Sequence, residues 1–180
     1  PKQEDCPYPN PEICGAVVAF KLVQALFESY GLPGLSENGT GKRGLLDELL
    51  EMAAFATVCD VMPLRDENRI LVRHGLALMQ DSQNQGLRAL MEVSGVGLPG
   101  KGKKLTAFHI GFVLGPCMNA SGRLDTAVRA LELLECESRQ EAVPKAAFLK
   151  QLNDSRKEMT ERFVQEAVRC IEETSLKEDR

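Results

Sequence analysis

The feature that most constrains this 180-residue sequence is its helical periodicity. Apolar residues recur at every third or fourth position through most of the chain, which places them on one face of an α-helix. No run of β-branched residues alternates with polar residues, as a half-buried strand requires. The sequence therefore predicts a mainly α fold, with helices over residues 15–30, 45–59, 67–80, 85–93, 107–114, 126–134 and 141–174.

The apolar segment AAFATVCDVMPL closes the second predicted helix and contains one carboxylate, Asp60. Its apolar neighbours predict that Asp60 loses hydration on folding, which is costly unless a cation or a hydrogen-bond donor replaces the water. Pro63 ends the helical pattern, so we expect Asp60 near the end of a buried helix, facing a cleft. The residues alone leave open a simpler role, in which Asp60 caps the next helix or pairs with an arginine.

A second unusual segment, LGPCMNASGRL, is rich in small residues and turn formers. The Gly115-Pro116 pair predicts that the preceding helix ends there and that the rest of the segment forms a loop. Small side chains allow backbone to approach a ligand closely, and the planar guanidinium of Arg123 is suited to phosphate.

Asn119 and Arg123 lie four positions apart in this segment. The Asn119 amide can donate a hydrogen bond and Arg123 can bind a phosphate in a bidentate manner, so both are candidate phosphate-binding residues. In the structural alternative, Asn119 stabilises the turn and Arg123 pairs with Asp125 or Asp60. Both interpretations remain open from the residues alone.

Together, TVCDVMPL, the following DENRILVRHGL and the block GPCMNASGRL resemble the RecJ family of single-stranded-DNA-specific exonucleases, within the DHH phosphoesterase superfamily. The resemblance extends over nearly all of the chain and weakens towards the C-terminus, and GPCMNASGRL is its most specific part. The family's N-terminal Asp-rich motif and its DHH motif have no counterpart in this sequence. We therefore expect a fragment of a longer protein.

The resemblance implies a metal-dependent enzyme that hydrolyses phosphodiester bonds of single-stranded DNA, from the 5′ end in this family, in DNA repair and recombination. Asp60 matches the family's catalytic carboxylate that helps to bind a pair of Mn²⁺ or Mg²⁺ ions, whose other ligands belong to the missing motifs. Asn119 and Arg123 match a block beside the family's active site, which implies that they bind substrate phosphate.

Two alternatives remain. A related DHH phosphoesterase could act on short oligonucleotides or cyclic dinucleotides, although GPCMNASGRL favours RecJ over both. A non-catalytic helical DNA-binding module would depend on the basic loop near residues 95–104 and on the long C-terminal helix.

The resemblance also implies a division of the chain. Residues 1–136 correspond to the C-terminal, helical portion of an α/β DHH phosphoesterase domain, and residues 137–180 to a long connector helix leading to an absent DHH-associated domain. Since the chain offers one well-placed carboxylate, we expect it to be inactive by itself and to bind divalent cations weakly. We assign no function to the loop over residues 32–43.

The composition of the chain also limits the functions that it can have. The net charge of −4 excludes a uniformly basic nucleic-acid-binding surface but permits a local basic groove. The six cysteines form no CxxC pair and lie mostly in apolar helical sequence, which is typical of free thiols in a reducing cytoplasm. No apolar run reaches membrane-spanning length, so we expect no membrane partner.

Overall fold

The structure is a computed structural model that describes residues 1–32, 43–97 and 104–174. These residues form helices and no β-strand, which confirms the predicted mainly α fold. The elements are α1 (Gly15–Tyr30), α2 (Leu45–Cys59), α3 (Asp66–Met79), α4 (Gln85–Ser94), α5 (Ala107–His109), a π-helical segment (Ile110–Leu114), α6 (Gly115–Leu124), α7 (Val128–Leu134) and α8 (Arg139–Glu173). Most of the predicted loops over residues 32–43 and 95–104 lies outside the described residues.

Helix α2 is the centre of the first core, because it packs against both α1 and α3. The buried apolar residues of this core are Ile13, Cys14, Val17, Phe20, Leu46, Ala53 and Leu71. Gly75 permits the close approach of α3, since a Cβ built there would overlap the Cβ of Ala54. This packing fixes the direction in which α2 ends.

A second core lies on the other side of α2 and α3, where α4, α6 and α7 pack around the first half of α8. Its fully buried large side chains are Met79, Leu87, Leu90, Ile110, Leu114, Leu133 and Leu149. Because α6 contributes to this core and also contacts α2, the two unusual sequence segments lie on adjoining helices.

Helix α8 is anchored at one end only. The Ser138 hydroxyl caps its start by accepting a hydrogen bond from the Glu141 N–H at 3.3 Å. The 35-residue helix continues through Pro144 and spans roughly 50 Å at ~1.5 Å per residue. Residues 160–174 are all exposed.

No helix among the described residues is both long and apolar enough to cross a membrane.

The predicted helix end at Gly115-Pro116 is wrong, because the chain stays helical through both residues to Leu124. The π-helical segment explains this continuity. The Gly115 N–H donates to the carbonyl of Ile110, five residues back, so the helix widens before the proline ring. Pro116 then lies in the first turn of α6, where a missing N–H is tolerated.

Candidate active site

Asp60 is the first residue beyond α2, and its N–H donates to the Ala56 carbonyl at 2.8 Å. Its side chain is exposed, and no group in the described part of the chain bonds to its carboxylate. The predicted burial of Asp60 is therefore wrong. The physical reason is the direction in which each side chain of the last turn points. Thr57 occupies the inward-facing position and is fully buried, whereas Asp60 lies past the helix end.

Helix α2 buries two carboxylates, Asp47 and Glu51, and Glu51 is the more enclosed at 2% exposed. Arg43 donates to one Glu51 oxygen at 3.0 Å, and the Ser82 hydroxyl donates to the other. Burial raises the pKa of Glu51 above its usual value, while the bonds from Ser82 and Arg43 act in the opposite direction. Glu51, which we did not single out from the sequence, thus joins α2 to the end of α3.

The backbone after Asp60 closes α2 with a Schellman motif. The Met62 N–H donates to the Thr57 carbonyl and the Val61 N–H to the Val58 carbonyl, both at 3.1 Å. This motif places Val61 in the left-handed region at φ 55°, a position that normally holds glycine. A β-branched residue is strained there, at about 1–3 kcal/mol, and the Val61 side chain is 85% exposed and so gains little packing in return.

Asp60 lines an open surface groove together with Met62. The facing wall consists of residues 13–15 and Val18, from the start of α1, and residues 1–3 complete the groove. Asp60 therefore presents an unpaired carboxylate to a space between the end of α2 and the start of α1.

Asn68 joins the two chain segments that adjoin this groove, a role that sequence reasoning missed. Its side-chain amide, on α3, is 1% exposed and donates to the Pro63 carbonyl at 3.0 Å and to the Glu12 carbonyl at 2.6 Å. Its Oδ1 atom is buried and accepts no hydrogen bond from any described residue. The only sequence signal was a polar residue on the apolar face of a predicted helix.

The small residues of α6 pack against other helices, which corrects the expectation that they form a loop open to a ligand. A Cβ built at Gly115 would lie 2.6 Å from the Sγ of Cys59. Cys117, Ala120 and Ser121 are buried as well. Burial, and then the charge of Asp60, raise the pKa of the Cys59 thiol to about 12, so it stays protonated and acts as a packing group.

Asn119 and Arg123 lie one turn apart on α6, and both side chains are exposed. The alternative partner of Arg123 is engaged elsewhere, since Asp125 accepts a hydrogen bond from Arg129 at 3.2 Å. Within residues 104–174 and the other described ranges, no hydrogen bond or ion pair joins Asp60, Asn119 and Arg123 to one another. Asn119 and Arg123 therefore share a helix face, whereas Asp60 approaches that helix only through its neighbour Cys59.

A divalent cation such as Mg²⁺ requires several oxygen ligands, and the described residues contain no group of three or more His, Cys, Asp or Glu side chains placed to hold a metal. Asp60 fits the requirement as one ligand, because its carboxylate is exposed and unpaired. His109 is engaged by Thr106, whose hydroxyl and N–H lie 2.9 and 3.1 Å from its Nδ1. Asp60 is therefore a candidate for one metal ligand, and this role stays a prediction.

Comparison with known proteins confirms the resemblance inferred from the sequence. The single-stranded-DNA-specific exonuclease RecJ of Bacillus subtilis (strain 168) is 39% identical over 176 residues, which cover 98% of this chain and 20% of that protein. RecJ of Escherichia coli (strain K12) is 35% identical over 180 residues, which cover 99% of this chain and 30% of that protein. This chain thus spans less than a third of these relatives. No family model matches it.

Solved structures give the same result. RecJ from Thermus thermophilus in complex with Mn²⁺ superimposes with a TM-score of 0.72 at 34% identity, covering 88% of this chain and 22% of that one. An exonuclease RecJ bound to manganese superimposes with a TM-score of 0.74 at 34% identity, covering 90% of this chain and 37% of that one. The relatives named here are exonucleases. Their names do not favour the alternatives of a phosphoesterase acting on short oligonucleotides or cyclic dinucleotides, or of a non-catalytic DNA-binding module.

Proposed function

We propose that this chain, similar to RecJ over nearly all of its length, is a segment of a RecJ-family exonuclease that hydrolyses phosphodiester bonds of single-stranded DNA. Its parent would act in the cytoplasm, in DNA repair and recombination. The observation that supports this most is the pairing of that similarity with an exposed, unpaired Asp60 at the end of α2.

Asp60 is proposed as one ligand of a divalent metal centre, with the remaining ligands supplied by parts of the parent outside this chain. Related structures contain Mn²⁺ or Mg²⁺, the hard cations that a carboxylate prefers. When bound, such ions provide a hydroxide nucleophile and neutralise the charge that develops on phosphate. Asp60 contributes negative charge and a fixed oxygen donor at the groove.

Asn119 and Arg123 are proposed to bind phosphates of the DNA strand. Their support is that both are exposed on one face of α6 and that neither is bonded to another described residue. An arginine offers two parallel N–H donors to a phosphate, and an asparagine one turn away adds a further donor. These contacts would hold the strand without reading its sequence.

The division into residues 1–136 and 137–180 remains a proposal. Two observations support it: α1 leaves an apolar stripe exposed, and the second half of α8 leaves the body of the protein. The stripe consists of Val18, Leu22, Leu26 and Tyr30, which recur at helical spacing. We propose that the rest of the parent's α/β domain covers this stripe and that α8 leads to a further domain.

The test is to replace Asp60 with Ala and with Asn in the full-length parent and to measure cleavage of labelled single-stranded DNA in Mn²⁺. We expect both variants to lose activity, because a methyl group donates nothing and a neutral amide does not balance the cation's charge. Glu48→Ala is the matched control, since Glu48 is an exposed carboxylate on the same helix. Near wild-type turnover by a folded Asp60 variant would mean that Asp60 is not a metal ligand.

A further inference from the structure

We infer that Asn68 is a positioning residue for the Asp60 carboxylate. This inference rests on the proposed metal role of Asp60 and extends it to a residue that touches neither metal nor DNA.

The Asn68 Nδ2 group uses both of its hydrogens on main-chain carbonyls. It donates to Pro63, three residues after Asp60, and to Glu12, at distances of 3.0 and 2.6 Å. Asn68 and Glu12 are 56 residues apart in sequence, so this bond is a tertiary contact rather than a helix cap.

These two carbonyls lie next in sequence to residues that line the groove, and Pro63 and Glu12 themselves line a neighbouring pocket. Pro63 directly follows Asp60 and Met62, and Glu12 directly precedes residues 13–15. One amide group therefore ties the segment that follows Asp60 to the segment that leads into α1. Because that group is buried and lies on α3, water cannot take its place without opening the core.

Asparagine is the side chain that these acceptors require. A carboxylate at this position would place its oxygens against two carbonyl oxygens, and an apolar side chain would leave both carbonyls without this donor. The buried Oδ1 atom lacks a partner among the described residues, so this arrangement is unfavourable as a device for stability alone.

The backbone conformation of Val61 also indicates that the segment around Asp60 is held in place. Its left-handed φ of 55° persists although it is β-branched and its side chain is mostly exposed. The residues on both sides hold it there: the Schellman bonds fix the N-terminal side, and the Asn68 bond to Pro63 fixes the C-terminal side. Asp60 is thus held at the end of α2 by a segment clamped at both ends.

The experiment compares Asn68→Ala with Asn153→Ala in the full-length parent. Asn153 is an equally buried asparagine on α8, and its Oδ1 accepts hydrogen bonds from Arg156 on the same helix. Calorimetric titration with Mn²⁺ in the absence of DNA gives the metal Kd. A series of Mn²⁺ concentrations gives the concentration that half-saturates cleavage.

We expect Asn68→Ala to raise the Mn²⁺ Kd by about tenfold or more, the usual effect of removing a group that orients a ligand. Excess Mn²⁺ should restore much of its cleavage rate. Asn153→Ala should leave the Kd within about twofold of wild type, although it loses a comparable buried amide. A folded Asn68→Ala variant with wild-type Mn²⁺ affinity would overturn the inference.

Asn68→Ser decides the case if Asn68→Ala does not fold, because its hydroxyl keeps one hydrogen-bond donor on α3 but cannot reach both carbonyls. Its Mn²⁺ Kd should rise several-fold, and an unchanged Kd would then refute the inference. Asp60→Ala separates the two proposals. If it leaves Mn²⁺ affinity intact, the proposed function fails; if it weakens binding and the positioning variants do not, this inference alone fails.

Discussion

The thiol of Cys59 occupies the space where any residue larger than glycine at position 115 would place its Cβ. That Cβ would lie 2.6 Å from Cys59 Sγ and 2.9 Å from the Ile110 carbonyl oxygen. Gly115→Ala should therefore force α6 away from the end of α2 and lower the free energy of unfolding by about 1–3 kcal/mol, the usual range for overpacking. Denaturant unfolding of the purified chain measures this change.

Gly122→Ala is the control, because it makes the same substitution on the same helix. Its Cβ would meet Ala127 at 3.7 Å, an ordinary contact, and Gly122 is exposed. Replacing glycine by alanine within a helix raises stability by up to about 1 kcal/mol. Equal losses in the two variants would mean that the Cys59–Gly115 contact has no special effect.

Arg123→Lys should weaken DNA binding by the full-length parent by about tenfold, although it preserves the charge. Lysine offers a point charge where a bidentate arginine makes two charge-assisted bonds, and one such bond contributes about 1.5–3 kcal/mol. Arg129→Lys is the matched control, since Arg129 already pairs with Asp125. Unchanged affinity together with unchanged single-turnover rates for Arg123→Lys would assign Arg123 a structural role.

Tyr8 should ionise only in strong alkali. Burial, the hydrogen bond to Glu67 and the charge of that carboxylate raise the pKa of Tyr8 from 10.0 to about 12. Because the folded-state pKa lies above the unfolded value, its contribution to stability is complete below pH 10 and is lost as the pH rises through 12. Ultraviolet absorbance titration should reveal a phenol that ionises near pH 12 and is missing in Tyr8→Phe. An unchanged titration curve in that variant would contradict the assignment.

The isolated chain should neither cleave DNA nor bind Mn²⁺ tightly. Asp60 is the single ligand that we assign, and a metal held by one carboxylate stays mostly hydrated. The exposed apolar stripe on α1 should also cause self-association. Calorimetry with Mn²⁺ and a cleavage assay on the purified chain measure both activities. Micromolar Mn²⁺ affinity that Asp60→Ala abolishes would mean that the chain contains a complete site.

Helix boundaries were predictable where periodicity and a cap agreed. The prediction of 15–30 for α1 matches to the residue, and Gly31 ends the helix at φ 62° in the left-handed region. The continuation of the helix past residue 114 was not predictable in this way, because Gly-Pro normally stops a helix. The i to i−5 bond between Gly115 and Ile110 that carries the helix onward has no sequence signature.

The surroundings of Asp60 show a second limit. Apolar neighbours in sequence indicate that a segment is buried, but they do not give the direction of each side chain at a helix end. Val61 is therefore exposed, and the carboxylates that α2 buries are Asp47 and Glu51, earlier in the helix than Asp60. The Asn68 amide was beyond sequence reasoning because its Glu12 acceptor is 56 residues away along the chain.

The π-helical segment at Ile110–Leu114 also sets the phase of everything after it. One residue advances an α-helix by about 100°, and the wider turn of this segment takes up about one residue more than an α-helical turn would. A chain lacking one residue here would therefore continue as a plain α-helix with α6 in nearly its present orientation. A chain with one residue more would instead rotate α6 by about 100°, so that Cys117 and Ala120 would leave the core and Asn119 and Arg123 would turn together to another side. The segment therefore tolerates a one-residue deletion better than a one-residue insertion, which would misalign the whole GPCMNASGRL block while leaving every residue of it in place.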